Sequence, residues 1–287
     1  MNITLGNIHK ATRIAIRKAR AIWDAGDEGT AITLAGTLPA SDLVVNEDTG
    51  YVKFSSGELG FASEVRQIAQ RAHEWIVDPS RRDKFNKPFL RNILRPEDLL
   101  AHPEIIRVAT HPQLYGAVTK YLGQVPWLVN LHLWWTPPNS TAVRSQLWHY
   151  DHRDTRQAKI FINLSDVDDD CGPLHFLSAV SSLKVDAKIG YSQGHYTDEQ
   201  LASAVSPDEV LKATGPSTTG FIVDTARCLH YGSRGNLKDR LVLMASYARV
   251  NCVSKGSGCE VLDPIREEIN RTYFHGDVAR TFSNRPT

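Results

Sequence analysis

From Val125 onward the chain is a succession of short β-rich segments, each closed by turn residues: Trp127–Trp135 (WLVNLHLWW), Lys159–Leu164, Thr219–Val223 and Leu241–Val250. Strands spaced in this way build a sandwich or barrel rather than a parallel α/β sheet. Between Ser178 and Pro216 lies a long polar connection. Within it, Thr197…Gln200 and Ser206-Pro207-Asp208-Glu209 have the form of helix N-caps, which predicts two short helices. A long insertion between core strands is often a lid or a substrate loop.

The part before Val125 reads as mainly helical. An amphipathic helix is expected over 7–24, with Ile8, Ala11, Ala15 and Ile22 on one face. Ala31–Leu38 and Leu43–Phe54 read as strands, the second broken by a turn over 46–50. Val65, Ile68, Ala69, Ala72 and Ile76 recur at helical spacing across Ala62–Val77, and two more helices are expected between Pro96 and Leu122. No flexible linker, repeat or low-complexity run divides the chain. The expectation is one domain over 1–287, with a helical 1–124, a core over 125–252 carrying the 178–216 insertion, and a tail over 253–287.

Composition excludes several function classes. Hydrophobic residues make up 41% of 287 and charged residues 23%, enough to bury a core. The formal charge of +1 gives no bulk electrostatic reason to bind nucleic acid or an anionic membrane. No apolar run approaches the roughly 18 residues of a membrane span, and no secretory h-region opens the chain, so a cytoplasmic location is expected. Cys171, Cys228, Cys252 and Cys259 form no CxxC pair, which argues against a zinc ribbon or a thioredoxin-like site.

The stretch that carries chemistry is Trp148-His149-Tyr150-Asp151-His152. On a strand, residues i and i+2 share a face, so His149 and Asp151 can converge on one atom. His230, at the end of an apolar segment, supplies a second imidazole. Two imidazoles and one carboxylate on one side of a metal leave three positions free, the arrangement of non-haem Fe(II) oxygenases. Those positions suit a bidentate 2-oxo acid and dioxygen. Arg240 opens the strand LVLMASY, expected to pair beside the one carrying His230. A guanidinium is expensive to bury without an anion, and its planar fork fits a carboxylate.

The segments WHYD, FINLSDVDDDCGPLHFL and the His230…Arg240 run resemble the phytanoyl-CoA dioxygenase-like family of Fe(II)/2-oxoglutarate dioxygenases. The stretch HPEIIRVATHPQLYGAVTKYLG is similar to that family's approach to its first core strand, and the match spans roughly Leu99–Ala248. The resemblance implies a mostly β fold with flanking helices: a double-stranded β-helix (jelly roll, cupin-like) core. It further implies Fe(II) held by His149, Asp151 and His230, with 2-oxoglutarate as cosubstrate anchored by Arg240. Ser233 and Asn130 fall near family positions that help to hold that cosubstrate. Where the family reads Pro-Gly-Ser-His, this chain has Leu177-Ser178-Ala179-Val180, so the entrance is expected to be rebuilt. Related halogenases have Gly or Ala at the carboxylate position; Asp151 therefore points to hydroxylation or a related oxidation.

Other residues have plainer readings beside functional ones. His152, three positions after His149, is expected to leave the strand face for a turn or the substrate side. His132 and Trp134 alternate with Asn130 on one strand face and are pocket candidates, as is Trp148, with core packing the alternative for each. Asp166, Asp168, Asp169 and Asp170 lack EF-hand spacing and read as a solvated turn. Arg153, Arg156 and Lys159 lie just past the stretch Trp148–His152, where they can meet an anionic substrate; a solvated face is the plainer reading. The resulting expectation is a dioxygenase that hydroxylates an unactivated C–H of a small organic substrate, with no nucleic-acid or membrane partner. The alternatives are a cupin-like isomerase or lyase that uses no 2-oxoglutarate, and a non-catalytic jelly-roll binding module.

Overall fold

Strict alternation along three neighbouring strands sets the architecture. In β3 (Trp127–Thr136), β4 (Gln157–Asn163) and β9 (Arg240–Ala248), every second residue is apolar and packs into the main core: Leu131 and Leu133, Ala158, Ile160 and Ile162, and Leu241, Leu243, Ala245 and Tyr247. The residues between them face the other way. A computed structural model describes residues 11–16, 18–19, 25–81, 88–192, 194–252 and 262.

The three strands are the middle of a six-stranded antiparallel sheet in the order β1-β7-β4-β9-β3-β2, with β1 Tyr51–Ser55, β2 Arg91–Asn92 and β7 Thr219–Val223 at its flanks. A second, three-stranded antiparallel sheet runs β6-β5-β8: Val210–Lys212, His175–Leu177 and His230–Tyr231. Helices cover the outer face of the larger sheet. These are α1 (Ala25–Ala35), α2 (Ala62–Val77), α3 (Pro96–Ala101), α4 (Glu104–Ala109) and α5 (Pro112–Leu122), whose buried faces share one cluster with the outward residues of β3, β4 and β9. A separate apolar cluster of Leu174, Phe176, Ala213, Phe221 and Val223 joins β5 and the residue after β6 to β7. The chain is thus an antiparallel-sheet-rich fold with flanking helices.

Several elements differ from the sequence reading. Ala31–Leu38 is not a strand: α1 runs through Ala35, and its β-branched threonines are accommodated because Thr30 and Thr33 donate to the carbonyls of Gly26 and Gly29 at 3.0 and 2.9 Å. Ala31, Leu34, Ala35 and Leu38 then meet the core at helical spacing. Of Leu43–Phe54 only the part from Tyr51 is strand, after a turn closed by Gly50 N–H donating to Asn46 O at 2.8 Å. Three helices, not two, fill the region from Pro96 to Leu122. Within the expected helix over 7–24, residues 11–16 are helical, but Ala11 and Ala15 are exposed and Arg13 is buried. Its guanidinium donates to Tyr191 Oη at 2.8 Å and to the Asp154 carbonyl. Ile8, Ile22 and all of the 253–287 tail except Leu262 lie outside the described residues.

The 178–216 insertion is framework as much as loop. Ser178 Oγ accepts from Ser181 N and starts α6 (Ala179–Ile189), which the sequence reading missed. The two expected caps are present: Thr197 starts α7 (Asp198–Ala202), and Ser206 starts the single turn Pro207–Glu209. The insertion then ends as β6, a strand of the smaller sheet.

Phe54 of β1 lies directly opposite Gly220 of β7, and a Cβ built on Gly220 would meet the Phe54 ring at 2.1 Å. Glycine is required here because an aromatic ring rests on its backbone. Replacing Gly220 with Ala is expected to cost about 1–3 kcal/mol by overpacking. Urea denaturation checks this as a lower midpoint with an unchanged slope.

Candidate functional site

His149 and His230 are joined by a pair of reciprocal backbone hydrogen bonds, His149 N to His230 O at 3.0 Å and His230 N to His149 O at 3.1 Å. This single antiparallel bridge adds His149 to the edge of β8 and sets the two imidazoles side by side, 4.3 Å between ring centroids. Each ring also bonds a carbonyl two residues earlier: His149 Nδ1 with Leu147 O at 2.8 Å, His230 Nδ1 with Cys228 O at 3.0 Å. A carbonyl only accepts, so each Nδ1 carries the proton and each Nε2 keeps its lone pair.

Asp151 is not on a strand. Its N–H donates to Thr225 O at 2.9 Å, and this turns the carboxylate toward the imidazoles. Asp151 Oδ2 lies 3.6 Å from His230 Nε2. It accepts from Gln157 Nε2 at 3.0 Å and is 2.6 Å from Lys159 Nζ. One ligand atom from each of His149, Asp151 and His230 lies within 4.8 Å of the others. Burial pushes His149 below its ordinary pKa; burial and the neighbouring His149 push His230 down to about 3. Burial raises the Asp151 carboxyl, but Lys159 and the two imidazoles outweigh it and hold the group ionised. Two neutral imidazoles and a carboxylate, all at one side of a cavity, are a donor set for a divalent metal with open positions.

The cavity encloses about 270 Å³. One wall is the inner face of the large sheet, in rungs that follow strand register. Asn130, Ser246 and Lys159 lie side by side across β3, β9 and β4; His132, Met244 and Phe161 come next, then Trp134, Val242 and Asn163. Arg240 stands on the following rung opposite Thr136 and is 7% exposed. Its Nη2 donates to Ser233 Oγ at 2.8 Å, while its buried Nε has no partner. Burial pushes Arg240 down to about 10, so the guanidinium stays charged at neutral pH. Ser233 has φ 62°, a left-handed conformation costly for a non-glycine residue. Gln146 Nε2 donating to its carbonyl at 2.5 Å and its own N–H donating to Gly172 O at 3.1 Å hold it there.

Most residues singled out from sequence meet at this cavity: His149, Asp151, His230, Arg240, Ser233, Asn130, His132 and Trp134 all line it. The His132 and Trp134 rings lie 4.5 Å apart between centroids, tilted by 31°. Trp148 does not line it. Its ring is buried against Tyr231 and its Nε1 donates to Asp198 at 2.8 Å, because the bridge that turns His149 inward turns Trp148 to the opposite side. His152 lines an adjoining cavity of about 300 Å³ that shares Asn130, Asp151 and Lys159 with the first. The strand of Arg240 does not pair beside that of His230: β9 sits between β3 and β4, and β8 belongs to the smaller sheet. Lys159 is not on a solvated face; it points inward, whereas Arg156 does sit at the surface with Glu47 at 2.6 Å. The signal for Lys159 was present in QAKIFIN, where Ala158, Ile160 and Ile162 form the apolar set and Lys159, Phe161 and Asn163 the other. The acidic residues of 166–170 do form an exposed turn.

No family model and no curated protein matches the sequence. Solved structures match in fold. The crystal structure of EctD from S. alaskensis with bound Fe superposes with a TM-score of 0.52 at 17% identity, covering 74% of this chain and 80% of that one. The apo form of EctD from S. alaskensis gives 0.51 at 16% identity, covering 78% and 90%. At these identities the likeness is one of fold. Among the described residues no helix is long and apolar enough to cross a membrane.

Asp224, at the end of β7, ties this site to the helical layer. Its carboxylate accepts from Tyr121 Oη of α5 at 2.6 Å and from the backbone N–H of Gln157 and Ala226 at 3.2 and 3.0 Å. Gln157 in turn donates to Asp151 and to Thr225 Oγ1. Burial raises Asp224 from 3.8 to about 6 despite these bonds. Between those values the folded protein holds a proton that the unfolded chain has released, so this group's contribution to stability falls as pH rises through the window. The stability of Asp224→Asn relative to the parent is therefore expected to increase from pH 4 to pH 6 and to be flat above about 7, read by denaturant midpoints across that range.

Proposed function

We propose that this chain is a single-domain Fe(II)- and 2-oxoglutarate-dependent oxygenase on a double-stranded β-helix core, acting on an unactivated C–H of a small organic molecule. The observation that carries this reading is a pairing. A cluster of two neutral imidazoles and a carboxylate shares one cavity with a buried guanidinium that, among the described residues, bonds no carboxylate. A metal alone accounts for the first half and leaves a buried cation unexplained; a 2-oxo diacid accounts for both. The order of WHYD, the acidic turn, His230 and Arg240, with its resemblance to phytanoyl-CoA dioxygenase-like enzymes, supports the same reading. So does the shared fold with an iron-bound EctD.

In this reading His149, Asp151 and His230 hold Fe(II) through Nε2, a carboxylate oxygen and Nε2. With 2-oxoglutarate and dioxygen, Fe(II) supplies an oxidant able to hydroxylate a C–H while the cosubstrate becomes succinate and carbon dioxide. Arg240 receives the far carboxylate of the cosubstrate, and Ser233 fixes the guanidinium plane from one side. Asn130 faces the cosubstrate from β3. The Leu147 and Cys228 carbonyls keep both imidazoles in the metal-binding tautomer. Phe161, Val242, Met244 and Leu174 keep water out of the cavity between. His132 and Trp134 offer an aromatic wall to the substrate.

The test is an anaerobic titration of the Fe(II)-loaded protein with 2-oxoglutarate, following the visible charge-transfer band of the chelate. The band is expected to form saturably, and Arg240→Ala is expected to weaken the titration by roughly 100-fold or more, the weight of one side of a buried charge pair. Iron binding with no band would overturn the reading in favour of a cupin-like isomerase or lyase. No iron binding at all would leave a non-catalytic jelly roll.

A further inference from the structure

Lys159, Ser246 and Asn130 form the rung of the large sheet beside Asp151, and all three line the 300 Å³ cavity next to the metal-ligand cluster. Ser246 is 6% exposed, and its Oγ has no hydrogen-bond partner. Lys159 is largely buried, and its ion pair is with Asp151. If Asp151 binds a divalent metal, its charge is committed to that ion. Lys159 is then a largely buried ammonium beside a dication, and an anion in the cavity offsets that repulsion more fully than water or an apolar wall does. Arg240 does not share this position, because it stands six residues before Ser246 on β9, a backbone separation of about 20 Å at the rise of a strand.

We propose that Lys159 and Ser246 bind an oxyanion of the substrate, so that the molecule oxidised here is small and carries a carboxylate or a phosphate. This rests on the metal centre proposed above. Two cations on either side of the metal-ligand cluster then have separate duties: Arg240, in the 270 Å³ cavity, takes the cosubstrate's carboxylate, and Lys159, which with Arg153 lines the 300 Å³ cavity, takes the substrate's anion. Ser246 donates its unpartnered hydroxyl to the same group. A cationic substrate is excluded from this rung, and a neutral one leaves Lys159 without a counter-charge.

The test uses the full chain with Mn(II) in place of iron and saturating 2-oxoglutarate. Binding of Mn(II) is first read by electron paramagnetic resonance; a protein that does not take up Mn(II) fails at this step and removes the metal centre and this proposal together. Acetate and methyl phosphate are then added, with acetamide and methanol as neutral counterparts, and the relaxation of their methyl protons by the bound Mn(II) is measured. At least one oxyanion is expected to be relaxed roughly tenfold more than its neutral counterpart, the weight of one charge-assisted hydrogen bond. Which of the two it is separates a carboxylate substrate from a phosphate. Lys159→Gln is expected to abolish the excess while binding Mn(II) as tightly as the parent or tighter; Lys159→Arg keeps it, and Ser246→Ala reduces it. Equal relaxation by charged and neutral probes overturns the proposal. So does a Lys159→Gln protein that has lost affinity for 2-oxoglutarate and kept the oxyanion effect, since Lys159 would then belong to the cosubstrate.

Discussion

Two backbone hydrogen bonds between His149 and His230 hold the rest of the site in place. Because the two residues exchange both N–H···O bonds, neither ring can shift along the chain without breaking the pair. The bridge also fixes the side of the chain on which each neighbour falls, which is why Trp148 and Tyr231 meet in a separate apolar cluster while the imidazoles turn to the cavity. Asp151 is then brought in by one further backbone bond to Thr225. The ligand set is thus assembled by main-chain geometry, and the side chains around it tune its charge.

The electrostatic design follows from burial. His149 and His230 stay neutral because they are buried and crowd one another, while Asp151 stays ionised because the Lys159 ammonium lies 2.6 Å away and the Gln157 amide donates to it. These opposite shifts within one small volume are what a metal needs from its ligands, since all three must be deprotonated to bind. Asp224 extends the scheme outward. Through Gln157 it connects the helical layer, at Tyr121, to the carboxylate that faces the imidazoles.

How much of this was legible in the sequence depended on whether local pattern and tertiary environment agreed. His149, Asp151, His230 and Arg240 could be named because their chemical types converge on one use, although the premise that Asp151 lies on a strand was not correct. The strands β3, β4, β7 and β9 are readable as short apolar, aromatic-containing segments closed by turn residues. The residues 31–38 were misread because isolated β-branched residues favour strand, and only packing against the core reveals the helical spacing of Ala31, Leu34 and Ala35. For Lys159 the sequence leaves a solvated face and contact with an anion both open, and a lysine near two arginines favours the charged surface. Its place inside follows from the register of β4 with β9, a long-range fact that no local window contains. The helix α6 was hidden by polar residues whose partners, such as Leu229 N–H on Ser182 Oγ, come from elsewhere in the chain.

β9 is buried along its whole length between β3 and β4. Leu241, Leu243, Ala245 and Tyr247 pack into the core shared with the helices, while Arg240, Val242, Met244 and Ser246 line the two cavities, so the strand carries two independent inheritances in one stretch of nine. Val242, Met244 and Ser246 can be exchanged over a lineage, or in a library, with little consequence for the helical layer. Leu241, Leu243, Ala245 and Tyr247 cannot. A change in what the cavities admit is therefore reached through alternate letters of a single strand, and insertions or deletions there, which would swap the two sets, are closed to it.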